Sequence, residues 1–242
     1  MQEARVRIGT SGWNYPHWKG RFYPEDWPKA RWLDFYAMQF DTVEVNATFY
    51  RLPKPETFDG WKQRTPEDFC WAVKANRFIT HIKRLRDVEE PLVRFYRCVS
   101  KLGDKLGPIL LQLPPSLAYD DGLVRDFLDR LDPSSRHVME VRHPSWLQDS
   151  FFSLLEARNI ALCLSDTAGR YPFHEAVTAS FVYVRLHGSQ KLYRSRYSRQ
   201  ELEAWADRIR SWNRDAYIYF DNDDQAHAPH NALELKALLQ LG

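Results

Sequence analysis

The sequence predicts a single (β/α)8 barrel, of α/β class, spanning residues 1–242. Three observations carry that expectation. Eight short runs of β-branched or apolar residues recur roughly 20 to 40 residues apart, room for a strand, a helix and two loops each. Stretches of helical periodicity lie between them. Polar residues gather at the C-terminal ends of the runs, the end at which barrel enzymes hold their chemistry.

Taken in order, the first strand covers residues 5–9 and runs into Gly9, Thr10, Ser11, Gly12 and Trp13. That turn is too short for the Gly-rich dinucleotide fingerprint, which disfavours the alternative of an open doubly wound sheet. In the second strand, residues 42–46, Val43 and Val45 share one face while Glu44 and Asn46 share the other. The third, 69–74, is apolar until Lys74, and the fourth, 108–113, carries Gln112 near its end. Leu123, Val124, Phe127, Leu128 and Leu131 then mark a helix. Glu140 and Arg142 share a face in the fifth strand, 137–142. The sixth, 160–166, ends at Asp166 and leaves only residues 173–179 for its helix, the weakest unit of the eight. Arg185 and His187 share a face in the seventh, 180–187. Ser198 with Glu201 three residues on forms a capping box, opening a helix whose buried face is Leu202, Trp205, Ala206, Ile209 and Trp212. The eighth strand, 216–221, ends at Asp221, and Leu233, Leu235, Leu238 and Leu239 mark the last helix.

Composition narrows the class of function. The balance of 34 basic and 32 acidic residues leaves a formal charge of +2, which argues against strong binding of polyanions by the chain as a whole. No apolar run is long enough to span a bilayer, so no membrane partner is expected. Cys70, Cys98 and Cys163 lie in apolar contexts without CxxC spacing, and no leader is visible, so a reducing, cytoplasmic setting is expected. Nine Trp, 12 Tyr and 14 Phe are more aromatic residues than a core of this size requires, so some are expected to line a site.

Strands of a parallel barrel are buried on both faces, so a charged residue within one must point into the barrel near an open end or be paired. Glu44, Lys74, Glu140, Asp166 and His187 are therefore the candidate catalytic residues. Paired carboxylates with a lysine between them can divide the roles of general acid and base. Ser11, Trp13, Asn46, Tyr50, His81, Gln112, Arg142, His143, Arg185, Gly188, Tyr193, Asp221 and Asn222 are the candidate substrate contacts. An anion site is expected where Arg185, His187, Gly188 and Ser189 meet Asn222 and the first loop, Thr10 to Gly12. The competing reading is a structural ion-pair network, Glu44 with Lys74 and Glu140 with Arg142. A divalent metal is possible, but no HxH, HExxH or clustered Asp spacing supports one and three cations share the mouth. No GxSxG elbow or nucleotide cofactor motif occurs, so the cofactor is left unassigned.

Two functions follow from different classes. The first is an enzyme performing acid–base chemistry, of hydrolase, lyase or isomerase type, on a small polar or phosphorylated and anionic ligand. The second is a nucleic-acid-binding or processing protein. Its support is two basic loops, Arg77, His81, Lys83, Arg84 and Arg86 after the third strand and Lys191, Arg194, Arg196 and Arg199 after the seventh, with Tyr193 and Tyr197 interleaved.

Several motifs together resemble one family. They are Gly9 to Trp13 followed by Tyr15, Trp18, Gly20 and Phe22-Tyr23-Pro24, then Val43-Glu44-Val45-Asn46-Ala47-Thr48-Phe49-Tyr50 and Lys74 with Thr80-His81. They continue through Leu106-Gly107-Pro108, Gln112-Leu113-Pro114-Pro115, Glu140-Val141-Arg142-His143-Pro144-Ser145-Trp146, Arg185-Leu186-His187-Gly188 and Phe220-Asp221-Asn222-Asp223. In this order they resemble the YecE-like proteins, domain-of-unknown-function family 72. The resemblance implies a TIM barrel and names no reaction.

Overall fold

Eight parallel strands, β1 (Val6–Thr10), β2 (Thr42–Val45), β3 (Cys70–Lys74), β4 (Leu106–Gln112), β5 (His137–Glu140), β6 (Ala161–Asp166), β7 (Phe181–Leu186) and β8 (Asp215–Phe220), build one sheet. Its order is β1-β8-β7-β6-β5-β4-β3-β2, so sequence neighbours are spatial neighbours all the way round. This computed structural model describes residues 4–241; residues 1–3 and 242, the ends of the expected domain, lie outside it. The seam between β1 and β2 is closed by the Ser11–Glu44 bridge and by Gly12 N–H donating to the Glu44 carbonyl at 2.8 Å. Gly9 permits this closure, because a Cβ there would lie 2.3 Å from the Thr42 carbonyl oxygen.

Helices cover the outside: α1 (Trp32–Gln39), the short α2 (Ala47–Tyr50), α3 (Pro55–Gln63), α4 (Glu89–Val99), α5 (Asp121–Leu128), α6 (Asp149–Glu156), α7 (Arg199–Trp212) and α8 (His227–Leu238). The expected capping box is present at α7, with Ser198 and Glu201 exchanging side-chain and backbone bonds, and its apolar face is buried. The sixth unit departs from expectation. Residues 173–179 form no helix, because Pro172 and the polar pair His174 and Glu175 leave no apolar stripe to dock. Instead Thr178 ties the segment to β6, accepting from Leu162 N–H at 2.8 Å and donating to the Ile160 carbonyl at 2.7 Å.

Period two divides the strand residues into two cores. Val43, Val73, Leu111, Met139, Leu164, Val184 and Ile218 face the helices. Cys70, Ala72, Leu110, Val138, Cys163, Tyr183 and Tyr219 fill the barrel interior. The next inward layer towards the C-terminal end is where the apolar filling stops. It holds Glu44, Lys74, Gln112, Glu140, Ser165 and Arg185, all buried. Ser165, which pairs in register with Arg185, is the inward residue at the end of β6; the expected Asp166 is one position on and faces away.

Candidate active site

Arg185 occupies the centre of the C-terminal mouth and is 1% exposed. Its five N–H donors are all engaged. Nε donates to Glu44 Oε2 at 2.9 Å, and Nη2 to Glu44 Oε1 at 2.8 Å and Asp221 Oδ2 at 3.2 Å. Nη1 donates to Glu140 Oε2 at 2.9 Å and to His187 Nε2 at 3.2 Å. A guanidinium can only donate, so His187 carries its proton on Nδ1. That atom lies 2.9 Å from Asp221 Oδ2, off the line of a hydrogen bond.

The carboxylates are held from their other sides as well. Ser11 Oγ donates to Glu44 Oε1 at 2.6 Å, and the buried Tyr183 hydroxyl donates to Oε2 at 2.7 Å. Gln112 Nε2 donates to both oxygens of Glu140 at 2.9 Å. Arg142 reaches Glu140 Oε1 through Nε and Nη2, each at 2.9 Å. Burial works against ionisation of Glu140, but Arg142 and Arg185 outweigh it and hold the carboxyl well below its ordinary range. Asp221 is lowered by the same contest, with His187 and Arg185 prevailing over burial. Glu44, Glu140 and Asp221 against Arg185 and Arg142 leave one negative charge, which protonated Lys74 balances.

Two expectations are corrected by this arrangement. Glu44 and Glu140 do not flank an open space with a lysine between them; Arg185 fills that space and binds both. The expected pair of Glu140 with Arg142 is formed, whereas Glu44 pairs with Arg185 and not with Lys74. The fork of a guanidinium meets two carboxylates at once, which an ammonium on a neighbouring strand does not.

Lys74 is thereby left apart. It is 8% exposed, and among the described residues no carboxylate lies within 4 Å of its ammonium. Its Nζ sits over the Phe49 ring, 4.1 Å from the centroid, and Thr48 Oγ1 anchors its backbone carbonyl at 2.6 Å. Burial, followed by the positive charge of Arg185, lowers the amine to about 8. His81 lies edge-on to the same Phe49 ring at 4.9 Å. Burial, then Lys74 and Arg142, depress His81 to about 4, so its imidazole is neutral at pH 7. Other groups at the strand ends lack protein partners. Ser165 Oγ and Asn46 Oδ1 are buried without a hydrogen-bond partner. Arg142, whose guanidinium lies over Tyr171 at 4.5 Å, leaves its Nη1 group without a protein partner among the described residues.

The rim opens on the β1, β7 and β8 side into a cleft of about 440 Å³ whose walls include Tyr15, Tyr193, Asp221 and Asp223. Tyr193 stands edge-on to His187 at 5.4 Å. Asp223 accepts from Trp18 Nε1 and lies 3.1 Å from His17 Nε2. Burial raises Asp223 to about 6, against the pull of His17 and with the help of the Asp221 charge. A carboxyl raised on folding costs stability once both states are ionised, and that cost fades as pH falls from 6 towards the ordinary 3.8. Asp223→Asn is therefore expected to melt at or above the wild type at pH 8 and to match it at pH 4. A lower melting point for the variant at pH 8 would contradict this.

The other expected contacts lie outside this cluster. Trp13 packs edge-on against Trp61 and Trp71, and Tyr50 is 73% exposed. His143 caps a short turn through Ser145, and Asp166 accepts from the Tyr197 hydroxyl at 2.8 Å. The anion cradle is not assembled as expected. Arg185 is already saturated by carboxylates, Gly188 N–H donates to Tyr197 at 3.0 Å, and Asn222 is buried against Ser195 and Asn231. The basic loops are partly spent too: Arg84 binds Ser116, and Arg196 and Arg199 pair with Glu234 and Glu203. Among the described residues no group of three or more His, Cys, Asp or Glu side chains is placed to hold a metal ion. No described helix is long and apolar enough to cross a membrane.

Sequence reasoning missed Tyr183, Tyr171 and the Asp223 group. Tyr183 had a signal: it shares the inward face of β7 with Arg185.

Comparison with known proteins places this geometry among relatives. The profile of a family described as "Protein of unknown function DUF72" matches residues 7–242. The UPF0759 protein YecE of Escherichia coli K12 is 25% identical over 251 residues, covering 93% of this chain and 89% of its own. The UPF0759 protein YunF of Bacillus subtilis is also 25% identical, over 98% of this chain and 95% of its own. A crystal structure of a DUF72 family protein from Thermotoga maritima superposes with a TM-score of 0.88 at 28% identity, covering 98% and 99% of the two chains. A methyltransferase from Methanosarcina mazei, with a TM-score of 0.59 at 10% identity over 99% and 94% of the chains, shares the fold alone.

Proposed function

The chain belongs to the DUF72 family of proteins of unknown function, and we propose that it is an enzyme whose C-terminal mouth performs acid–base chemistry on a small anionic substrate. The observation that carries this reading is Lys74. Every other charged group of the buried layer is neutralised by a partner, and only this amine is left against an aromatic ring with no carboxylate beside it. A buried charge without a partner is costly, so a purely structural network would not retain it. An amine near 8 exchanges protons readily at neutral pH, as a general acid or base must. The free Nη1 of Arg142 supplies a donor for an anionic group, and Glu140, itself bound by Arg185, keeps that guanidinium in place.

The test is incorporation of solvent deuterium into a panel of small hydroxy acids, oxo acids and phosphate esters, followed by proton NMR. Wild-type protein is expected to exchange at least one member, at a rate rising with pH to a plateau above about 8. Lys74→Met is expected to lose ~10²–10⁴-fold of that rate. Equal rates in the two proteins would overturn the assignment.

A further inference from the structure

We infer that Lys74 is a nucleophile as well as a proton carrier, and that the mouth forms an imine with a small oxo acid. The inference deepens the reading of the same site and rests on it. Three features distinguish an imine-forming amine from a lysine that only moves protons. The first is the absence of an acceptor: no carboxylate within 4 Å of Nζ ties up its lone pair once the proton leaves, among the described residues. The second is the surface against which it rests. The Phe49 ring below the nitrogen offers a cation a face to lie on without a base to reclaim the proton, and it excludes water from one side.

The third is the company of an anchor. Arg142 follows the C-terminal end of β5 by two residues, is held to Glu140 by Nε and Nη2, and presents Nη1 without a protein partner among the described residues. A carboxylate on the carbon next to a carbonyl would take that donor while the carbonyl carbon meets Nζ. His81, packed edge-on to the same ring, is neutral at pH 7 and too weak a base to compete for the amine's proton.

The step balances without another reagent. The ammonium gives one proton to solvent, as an amine near 8 does readily at neutral pH, and the freed nitrogen lone pair attacks the carbonyl carbon as the C=O π pair moves to oxygen. Oxygen takes a proton back from solvent, equal to the one released, to give a carbinolamine still protonated on nitrogen. A second proton from nitrogen then accompanies departure of the hydroxyl as water, and the nitrogen lone pair closes the C=N bond. Ammonium plus carbonyl thus become protonated imine plus water, with no oxidant, reductant or metal consumed.

The experiment is reductive trapping on the full chain. Protein at neutral pH is incubated with glyoxylate, with pyruvate or with neutral acetaldehyde, reduced with borohydride, digested and mapped by mass spectrometry. An amine near 8 exposes ~10²-fold more neutral nitrogen at pH 7 than an ordinary lysine. Labelling by the oxo acids is therefore expected to concentrate on Lys74, at about one adduct per chain, and to vanish from that peptide in Lys74→Arg. Arg142→Met is expected to weaken trapping of glyoxylate and pyruvate more than that of acetaldehyde, and an equal effect on all three would remove Arg142 as the anchor. Adducts spread over surface lysines with Lys74 unlabelled would overturn the inference. Mapping in the wild type reads this directly, even if a variant does not fold. If Lys74 stays unlabelled while its amine titrates near 8, the imine falls and the acid–base reading stands. If it titrates as an ordinary lysine, both fall.

Discussion

Arg185→Met is expected to be the most damaging single substitution in the barrel mouth, costing ~3–5 kcal/mol or preventing folding. The side chain is fully buried, and its removal leaves Glu44, Glu140 and Asp221 facing one another across a cavity of guanidinium size. Methionine replaces the apolar stem and supplies no donor. Restoring neutrality should recover part of the loss, so Arg185→Met combined with Glu44→Gln is expected to be more stable than Arg185→Met alone. The measurement is urea unfolding followed by far-ultraviolet circular dichroism, with the wild type in parallel. A loss below ~1 kcal/mol for Arg185→Met would mean that the network contributes little, as surface pairs do.

Lys74→Met is expected to have the opposite sign for stability. Displacing a lysine from 10.5 to about 8 on folding corresponds to ~3 kcal/mol of cost at neutral pH. Methionine removes that cost while retaining most of the apolar stem. The variant should therefore melt at or above the wild type at pH 7. The pH dependence fixes the cause. Between pH 8 and 10.5 the unfolded chain binds more protons than the folded one, so the wild type gains relative stability as pH rises through that window. Below pH 8 its deficit against Lys74→Met is complete. Thermal melts of both proteins at pH 7 and pH 9.5 decide the matter. A variant less stable than the wild type at pH 7 would show that Lys74 is held by favourable contacts after all.

These two substitutions separate the roles that the mouth combines. Arg185 is scaffolding made of charge: it orders Glu44, Glu140, His187 and Asp221 at distances no apolar residue could impose. Lys74 has no direct ion pair with that scaffold among the described residues; burial and then Arg185 oppose its protonation, and the charges of Glu140, Glu44 and Asp221 do not make up for them. Sites that keep strained or unpaired groups against a stability cost are where function is to be sought.

Much of the fold was legible in the sequence because barrels repeat one rule. Alternation within runs such as Thr42 to Val45 assigns the inward face without knowledge of the partner strand. The same rule, applied at β7, places Arg185 and Tyr183 together. It misled at β6, where Asp166 is the more conspicuous residue but Ser165 has the inward parity. A helix for residues 173–179 was inferred from the repeat and not from their own pattern, and the chain there follows its local chemistry. Pairing was the least legible part. Which cation a carboxylate binds depends on how far round the barrel each strand lies. Glu44 on β2 meets Arg185 on β7, and this cross-barrel partner outcompetes Lys74 on the adjoining strand. The carboxyl of Asp223 is raised by burial and by the Asp221 charge against the pull of Trp18 and His17, some two hundred residues away in the chain, and that environment has no sequence signature.

The titration of Lys74 itself bears most directly on the proposed chemistry. Reductive methylation with ¹³C-formaldehyde labels lysine amines with little change in basicity, and the Lys74 signal is assigned by its loss in Lys74→Arg. Its chemical shift, followed from pH 6 to 11 in the folded wild type, is expected to turn at about 8, well apart from the other lysines. A midpoint near the ordinary lysine value of ~10.4 would contradict the assignment, because Lys74 would then be a fixed charge at neutral pH and not a group that gives and takes protons.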